Sequence, residues 1–443
     1  MYSKNNAAPY PPMGWNSYDY YNTMVTEEEV KANADYMARN LKKYGWEYVV
    51  IDIQWSDPAA GSQNPKVQYI PFSQFCLDEY SRQIPAPNRF PSSKNGAGFK
   101  PLADYVHSLG LKFGIHIMRG IPRYAAHNHL KIKGTDLTAD QIANPFSISR
   151  WNPDMYGLDT NKEEAAAYYD SIFELYAQWG VDYVKVDDIC NTNMYPSNPY
   201  SAEKEIEWIA RAIEKSGRPM VLSLSPGPAV IEKAWHLEKY ANMWRITDDF
   251  WDTWPLLKNM FERCEVWQKH VGEGNWPDCD MLPLDKLGRG FGNEWQSRLT
   301  PEEQKTMLTL WTIFRSPLMI GTDLPQMSSE TLALLTNEEV LALEKKSHGA
   351  YQVMRDENQC IWASYVNGCP HRESGVNLAL FNLSDEEREV SVKLSEVKGI
   401  LEGTIYSVRN LWDKSNLFPL DGAAELSLTV PAHGSVLLLL ETK

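Results

Sequence analysis

Aspartates that follow short apolar segments are the residues of this sequence best placed to do chemistry. They are Asp52, Asp187, Asp188, Asp248, Asp249, Asp278 and Asp280. A single aspartate after a strand is usually a helix cap or a turn residue. Several at corresponding ends of parallel strands would converge on one face of the molecule, which favours a shared site.

Two cations, Lys185 and Arg245, accompany these aspartates. Residues two apart in a strand point to the same side, so Lys185 can keep Asp187 ionised, as a nucleophile must be. The alternative for Lys185 is a salt bridge at the strand end. A retaining glycosidase uses two carboxyl groups in different protonation states, one ionised as the nucleophile and one protonated as the acid. The nine histidines show no metal-binding spacing, which argues against zinc. Glycosidase chemistry of this kind requires neither a metal nor an organic cofactor, so we expect none.

Short apolar segments alternate with amphipathic helices through the first 345 residues. The predicted strands lie near residues 12–15, 47–53, 111–117, 181–186, 219–223, 242–245, 279–282 and 317–320. The predicted helices cover residues 27–43, 99–109, 162–179, 202–216, 229–239, 254–268 (the weakest), 301–315 and 329–344. About eight such units predict a parallel (β/α)8 barrel of the α/β class. The alternative is a doubly wound sheet, but no GxGxxG motif follows the first strand.

The pattern changes after residue 346, where short apolar strands are separated by turn residues without any helical repeat. This predicts an antiparallel β-sandwich. We therefore divide the chain into a barrel, residues 1–345, and a sandwich domain, residues 346–443. Two long segments, residues 56–98 and 118–160, follow predicted strands at the end where a barrel builds its active site.

Composition limits the classes of function. The chain has 443 residues with 43 Lys and Arg against 58 Asp and Glu, a net charge of −15, and 16 tryptophans. Such acidity disfavours nucleic acids and membrane surfaces as partners, and the tryptophans suit a small carbohydrate. The N-terminus lacks a signal-peptide pattern, and the six cysteines form no CxxC pair. We therefore expect a cytoplasmic protein with reduced thiols. The sequence does not decide whether the chain forms a homo-oligomer.

The sequence resembles glycoside hydrolase family 27, which contains α-galactosidases, α-N-acetylgalactosaminidases and β-L-arabinopyranosidases. It resembles the bacterial β-L-arabinopyranosidases most, and the resemblance covers the chain from Pro12 to its end. The motifs that carry it are PMGWNSY at 12–18, YVVID at 48–52, LKFGI at 111–115, DYVKVD at 182–187, Trp244-Arg245 with Asp249, WPDCDML at 276–282, LW at 310–311 and SPL at 316–318. They occur in the family's order and at strand ends.

The resemblance implies the catalytic pair. Asp187 matches the family's nucleophile, and Asp249, four residues after Arg245, matches its acid/base. Arg245 would reach towards the sugar's 2-position. Asp188 and Asp248 are the neighbouring carboxylates most easily confused with this pair, and we interpret them as supporting or turn residues.

Further residues match the family's sugar-binding positions. By resemblance, Lys185 contacts the hydroxyls at ring positions 3 and 4, and Asp52 binds the 4-hydroxyl. Trp15 and Tyr18 line the sugar's apolar face. Asp280 lies at the mouth of the pocket.

Ile53 departs from the family pattern. The family usually has an aspartate there that helps bind the 6-hydroxyl of galactose. Isoleucine has no polar group, so the hydroxyl would be buried without a partner at a cost of ~1–3 kcal/mol. The change favours β-L-arabinopyranose, which has the α-galactoside configuration without C6, with α-D-galactosidase activity weaker. The alternative is that Ile53 fills the core and another residue binds the 6-hydroxyl.

Three other positions depart from the family pattern, and two of them leave alternatives open. His116 stands where the family often has tyrosine, and could bind a sugar hydroxyl or be a satisfied buried histidine. Ser225 replaces a glutamate that contacts the 2-hydroxyl in galactosidases, which keeps α-N-acetylgalactosaminidase activity open. Cys190 has no evident disulfide partner. From another class of function, the chain could be a carbohydrate-binding protein on an inactive barrel.

Overall fold

The computed structural model describes residues 3–61, 73–192, 197–366 and 375–442. Eight strands are all parallel and pair in the order β7-β6-β5-β4-β3-β2-β1-β8. They are β1 Met13–Asn16, β2 Tyr48–Ile51, β3 Lys112–Met118, β4 Tyr183–Asp187, β5 Val221–Leu224, β6 Met243–Arg245, β7 Trp276–Asp278 and β8 Leu318–Ile320. Leu282, after β7, makes a parallel bridge to Ile320, which joins the two edges of the sheet. The predicted (β/α)8 barrel is confirmed.

Helices follow the strands and cover the barrel. They are α1 Tyr18–Tyr21, α2 Glu27–Asn40, α3 Lys100–Ser108, α4 Arg123–His127, α5 Ala139–Ile142, α6 Ala166–Trp179, α7 Glu203–Ser216, α8 Ala234–Tyr240, α9 Trp254–Trp267, α10 Pro301–Phe314, α11 Ser329–Leu335, α12 Glu338–Leu341 and α13 Leu343–Lys346. Capping boxes begin α2 at Thr26 and α10 at Thr300, where each threonine and a glutamate three residues later satisfy free backbone N–H groups. Across the described ranges, no helix has the length and apolarity to cross a membrane.

Two predicted elements differ from the structure. The seventh strand was predicted at 279–282 from its apolar residues, but β7 ends at Asp278, and the chain turns at Asp280 with a φ of 80°. The predicted helix 329–344 is divided into α11, α12 and α13. The division occurs because the Asn337 side chain accepts hydrogen bonds from the N–H groups of Glu339 and Val340 and so starts a new helix.

The segment 118–160 is more ordered than a loop. It forms an antiparallel sheet of Ile121–Pro122, Ala143–Ile148 and Met155–Leu158, with α4 and α5 between the strands. In the other long segment, residues 62–72 lie outside the described residues. Both segments leave the C-terminal ends of barrel strands, β2 and β3, so both lie on the face where the aspartates lie.

The C-terminal part is a β-sandwich, as predicted. Its longer strands are β9 Ser347–Arg355, β10 Gln359–Val366, β11 Gly375–Asn382, β12 Arg388–Lys393, β13 Ile405–Asn410, β14 Glu425–Val430 and β15 Ser435–Thr442. β12 and β14 pair with each other and cover one face of the larger sheet, in a core that includes Ile361. Trp362, on the opposite face, packs edge-to-face on Phe314 of α10, with ring centroids 6.0 Å apart, and so joins the sandwich to the barrel.

The five described cysteines are free thiols, four of them buried. Cys190 is one of these four, directly after the strand that carries Asp187. Cys264 and Cys279 have sulfur atoms 3.6 Å apart without being bonded to each other. Cys369 lies outside the described residues.

Candidate active site

The structure brings the strand-end charges together at the C-terminal face of the barrel. Lys185 Nζ lies 3.0 Å from Asp52 Oδ2, which connects β4 to the end of β2. Arg245 Nη2 lies 2.8 Å from Asp280 Oδ2 and 3.1 Å from Asp249 Oδ1. Carboxylates from three β-α units therefore contact two cations, as the convergence of strand ends predicted.

Asp187 is held in an ionised form at the end of β4. His116 on β3 donates from Nε2 to its Oδ2 at 3.1 Å, and the backbone N–H of Asp188 donates to its Oδ1 at 2.9 Å. Burial opposes ionisation, but the hydrogen bond and charge of His116 and the charge of Lys185 hold the pKa of Asp187 below its usual value. An ionised, partly accessible carboxylate is suited to nucleophilic attack.

Asp52 forms the second ionised group. Its Oδ2 accepts hydrogen bonds from Asn16 Nδ2 at 2.7 Å and Lys185 Nζ at 3.0 Å, and its Oδ1 accepts one from the Ile53 N–H. Burial opposes ionisation, but Lys185 and His116 hold the pKa of Asp52 well below its usual value. Asp52 is therefore a fixed hydrogen-bond acceptor with a strong charge, suited to binding hydroxyl groups.

Asp249 differs from the other carboxylates in its exposure. Its side chain is 55% exposed, whereas that of Asp280, on the same Arg245, is 9% exposed. The Phe250 N–H donates to Asp280 Oδ2 at 2.7 Å, which fixes Asp280 beneath Asp249. Burial raises the pKa of Asp280 above its usual value even though Arg245 opposes the rise. Asp249 is thus accessible from outside, where a leaving group would depart.

Asp188 and Asp248, the neighbouring carboxylates, each make contacts of their own beside Asp187 and Asp249. Asp188 adopts the left-handed conformation, φ 55°, and its Oδ2 lies 3.0 Å from Arg119 Nη2. Arg119 also contacts Glu205 at 3.2 Å, so one buried cation faces two buried carboxylates. Burial raises the pKa of Asp188 to about 7 despite Arg119. Asp248 Oδ1 accepts a hydrogen bond from the Asp249 N–H.

Ile53 lies in an apolar cluster beside Asp52. The cluster consists of Ile53, Phe75, Met118 and Met155, and Tyr18 packs against it. Phe75 and Met155 come from the two long segments, so residues far apart in the sequence enclose Ile53. Next to Asp52, the side chains of this cluster therefore present carbon atoms and the sulfur atoms of the two methionines.

Two predicted sugar contacts have a different environment from the one expected. Trp15 was expected to line the sugar, but it is 0% exposed and its indole N–H donates to the Thr322 carbonyl at 2.7 Å, so its ring belongs to the barrel core. Ser225 is 1% exposed, and its hydroxyl has no hydrogen-bond partner among the described residues. Tyr18 is partly exposed, with Lys185 Nζ 5.8 Å from its ring centroid. Of the two predicted aromatic contacts, Tyr18 is the one with exposed surface.

Sequence reasoning missed Asn16 and Asp19 and gave Asp278 no role. Asp19 is buried with Oδ2 lacking a hydrogen-bond partner among the described residues; burial and the charge of Asp280 raise its pKa well above the usual value. Burial raises the pKa of Asp278 to about 6, although Arg245 opposes this. Asn16 and Asp19 flank the already recognised Ser17-Tyr18 pair, and Asp278 ends a strand; these are the signals that could have indicated them. Within the described ranges, no set of three or more His, Cys, Asp or Glu residues is arranged to hold a metal ion.

His116 gives a prediction for the dependence of activity on pH. A nucleophilic role for Asp187 would require its ionised form, so kcat/KM should fall as the pH drops through the pKa of Asp187 in the free enzyme. His116→Phe removes the contacts that lower this pKa, so the pKa rises and the acidic limb of the kcat/KM profile moves to higher pH. His348→Phe, at an exposed position on β9, is the control. If the acidic limb of His116→Phe stays at the wild-type pH, His116 does not lower the pKa of Asp187.

Comparison with protein-family models gives two matches. Residues 163–346 match the family model described as Alpha galactosidase A. Residues 361–440 match the model of the Alpha galactosidase C-terminal beta sandwich domain. The two matches cover the second half of the barrel, including β4 to β8, and most of the sandwich. They define a glycoside hydrolase.

Known proteins match over nearly the whole chain. A β-L-arabinopyranosidase of glycoside hydrolase family 27 from Geobacillus stearothermophilus is 50% identical, with a TM-score of 0.92, covering 99% of this chain and 98% of that one. A Bacillus halodurans protein provisionally named an α-N-acetylgalactosaminidase is 49% identical, with a TM-score of 0.86 over 98% and 97%. An α-galactosidase of Cyamopsis tetragonoloba is 26% identical over 99% of this chain and 88% of that protein. The chain therefore belongs to glycoside hydrolase family 27.

Proposed function

We propose that this glycosidase removes terminal β-L-arabinopyranosyl residues with retention of anomeric configuration and has weaker α-D-galactosidase activity. The observation that carries the choice of sugar is the apolar cluster around Ile53, next to the hydroxyl-binding Asp52. A hydroxymethyl group placed against this cluster would lose its hydrogen bonds to water without gaining new ones. A pentopyranose presents only a ring CH2 there.

Asp187 and Asp249 are the proposed catalytic residues. In the first step, an Asp187 oxygen forms a bond to the anomeric carbon as the bond from that carbon to the leaving oxygen breaks, and the carboxylic acid of Asp249 donates its proton to that oxygen. In the second step, Asp249 takes a proton from water, the water oxygen bonds to the anomeric carbon, and Asp187 leaves. The support for these roles is that Asp187 is held ionised, whereas Asp249 is the accessible carboxyl.

Lys185, Asp52 and Arg245 position the sugar in this proposal. Lys185 and Asp52 present a donor and an acceptor 3.0 Å apart, a pair that can bind adjacent ring hydroxyls. Arg245 has a buried Nε without a hydrogen-bond partner among the described residues, while its Nη2 holds Asp249 and Asp280. The guanidinium therefore orients the proposed acid/base directly.

Ile53→Asp tests the choice of sugar. The introduced carboxylate can accept a hydrogen bond from the 6-hydroxyl, so kcat/KM for the nitrophenyl α-D-galactoside should rise relative to the β-L-arabinopyranoside. A restored partner is worth ~1–3 kcal/mol, which corresponds to a change in this ratio of about tenfold or more. Ile53→Asn provides a neutral variant that can make the same hydrogen bond.

The matched control is Ile53→Leu, which keeps the apolar character and the volume and should leave the ratio close to that of the wild type. Thermal unfolding of each variant shows whether it is folded. If the folded Ile53→Asp and Ile53→Asn variants keep the wild-type ratio, Ile53 does not face C6 and the argument for arabinopyranose fails.

A further inference from the structure

We propose that the leaving group binds an aromatic rim formed by Phe291 and Trp251, which adjoins Tyr18, and that this rim selects aglycones with a flat apolar face, such as an aryl group or the C–H face of a second sugar. The proposal rests on the catalytic roles given above, since it places the leaving group beside Asp249. It adds a binding site on the other side of the cleaved bond.

The three rings form a row of consecutive contacts that begins near Lys185. Lys185 Nζ lies 5.8 Å from the Tyr18 ring centroid. Tyr18 meets Phe291 edge-to-face at 5.6 Å, and Phe291 meets Trp251 in the same manner at 5.6 Å. All three rings are partly exposed. Trp251 follows Asp249 by two residues, so the row ends on the segment between β6 and α9 that also carries the proposed proton donor.

The loop that carries Phe291 packs closely against α1 and Trp295 through two glycines. A Cβ on Gly290 would lie 2.0 Å from the Tyr21 carbonyl oxygen, and a Cβ on Gly288 would lie 1.8 Å from the Trp295 ring. Only glycine fits at these positions, and Gly288 donates its N–H to the Asp19 carbonyl at 2.8 Å. The loop is thereby fixed against α1, and Phe291 is the large side chain that it presents.

Trp251 is supported from behind. It packs against Trp295 with centroids 5.9 Å apart, and the indole N–H of Trp295 donates to the buried Asp252 at 3.1 Å. Asp252 also binds Arg298 through two nitrogens, at 3.0 and 2.6 Å. A ring that is supported in this way loses little conformational freedom when a ligand stacks on it.

The position of the rim determines what it binds. The oxygen protonated by Asp249 carries the aglycone, so the group attached to that oxygen must leave through the exposed side of Asp249. Aromatic rings at this position stack favourably on another flat apolar face, whereas a methyl group is too small to stack on them. The rim should therefore contribute to the specificity for the aglycone and leave recognition of the sugar unchanged.

The test compares kcat/KM for benzyl and methyl β-L-arabinopyranosides, whose leaving alcohols have nearly equal basicity. Trp251→Ala and Phe291→Ala should each lower the benzyl-to-methyl ratio about three- to tenfold, with kcat/KM for the methyl glycoside and inhibition by free arabinose unchanged. Trp235→Ala and Phe418→Ala are matched controls at positions 58% and 56% exposed, and should keep the wild-type ratio. Phe291→Leu and Trp251→Leu retain apolar volume if an alanine variant does not fold.

An unchanged ratio in the folded rim variants overturns the proposal, and so does an equal loss for both substrates. The same pair of aglycones on α-D-galactopyranose separates this proposal from the choice of sugar. If the arabinosides are poor substrates but the ratio on the galactosides falls in the rim variants, the sugar assignment is wrong and the rim is retained. If the wild type prefers arabinosides but the ratio does not fall, only the rim is wrong.

Discussion

Asp187→Asn should lower kcat by about four orders of magnitude or more, because the amide cannot form the glycosyl-enzyme bond. The substitution preserves the size of the side chain and one acceptor oxygen, which can keep the hydrogen bond from the Asp188 N–H, so binding of substrate should persist. Steady-state kinetics on nitrophenyl β-L-arabinopyranoside measure the loss. In Asp187→Ala, added azide should restore turnover and give a glycosyl azide of the opposite anomeric configuration.

The matched control is the neighbouring Asp188→Asn. Asparagine tolerates the left-handed conformation, keeps the N–H that Asp187 accepts, and leaves Glu205 as a charged partner for Arg119. This variant should keep at least about a tenth of the wild-type kcat, far above the loss expected for a nucleophile. Comparable activity of Asp187→Asn and Asp188→Asn would contradict the assignment of the nucleophile.

Asp249→Ala should produce a loss that depends on the leaving group. Glycosides with poorly acidic alcohols, such as the methyl glycoside, need protonation as the bond breaks, so their kcat/KM should fall by about 10²–10⁴-fold. Dinitrophenyl glycosides leave without a proton and should lose much less in kcat/KM. Azide should react with the accumulated glycosyl-enzyme and give a product of the same anomeric configuration as the substrate.

Asp248→Ala provides the comparison for Asp249. Asp248 accepts the Asp249 N–H, so its loss disturbs the position of the acid/base without removing a proton donor. Its effect should be equal for good and poor leaving groups. A loss that is independent of the leaving group in Asp249→Ala, or a dependence that appears in Asp248→Ala instead, would reassign the acid/base.

The barrel could be predicted from the sequence because its strands are short apolar segments between strongly periodic helices. The rule that strand-end residues converge then placed Asp52, Asp187 and Arg245 on one face correctly. β7 was misplaced because its residues Trp276–Asp278 include a proline and an aspartate, whereas the apolar residues after it form a turn. The small sheet within residues 118–160 was not predicted, because the pairing of its strands depends on tertiary contacts that local sequence patterns do not encode.

The contacts within the site were harder to predict than its position. Asn16 reaches Asp52 because β1 and β2 pair with Asn16 opposite Val50, and the sequence does not give this register. The burial of Trp15 depends on the packing of its ring inside the barrel. The sequence left open whether His116 binds a sugar hydroxyl or is a buried core residue. The structure places it beside the proposed nucleophile, in hydrogen-bond contact with Asp187.

The preference of the wild-type protein between two sugars tests the central claim most directly. Nitrophenyl β-L-arabinopyranoside and nitrophenyl α-D-galactopyranoside carry the same leaving group and differ only in the hydroxymethyl group at C5. The apolar cluster around Ile53 predicts a higher kcat/KM for the arabinopyranoside, with slower but measurable hydrolysis of the galactoside. A higher kcat/KM for the galactoside would contradict the proposal that this enzyme is a β-L-arabinopyranosidase.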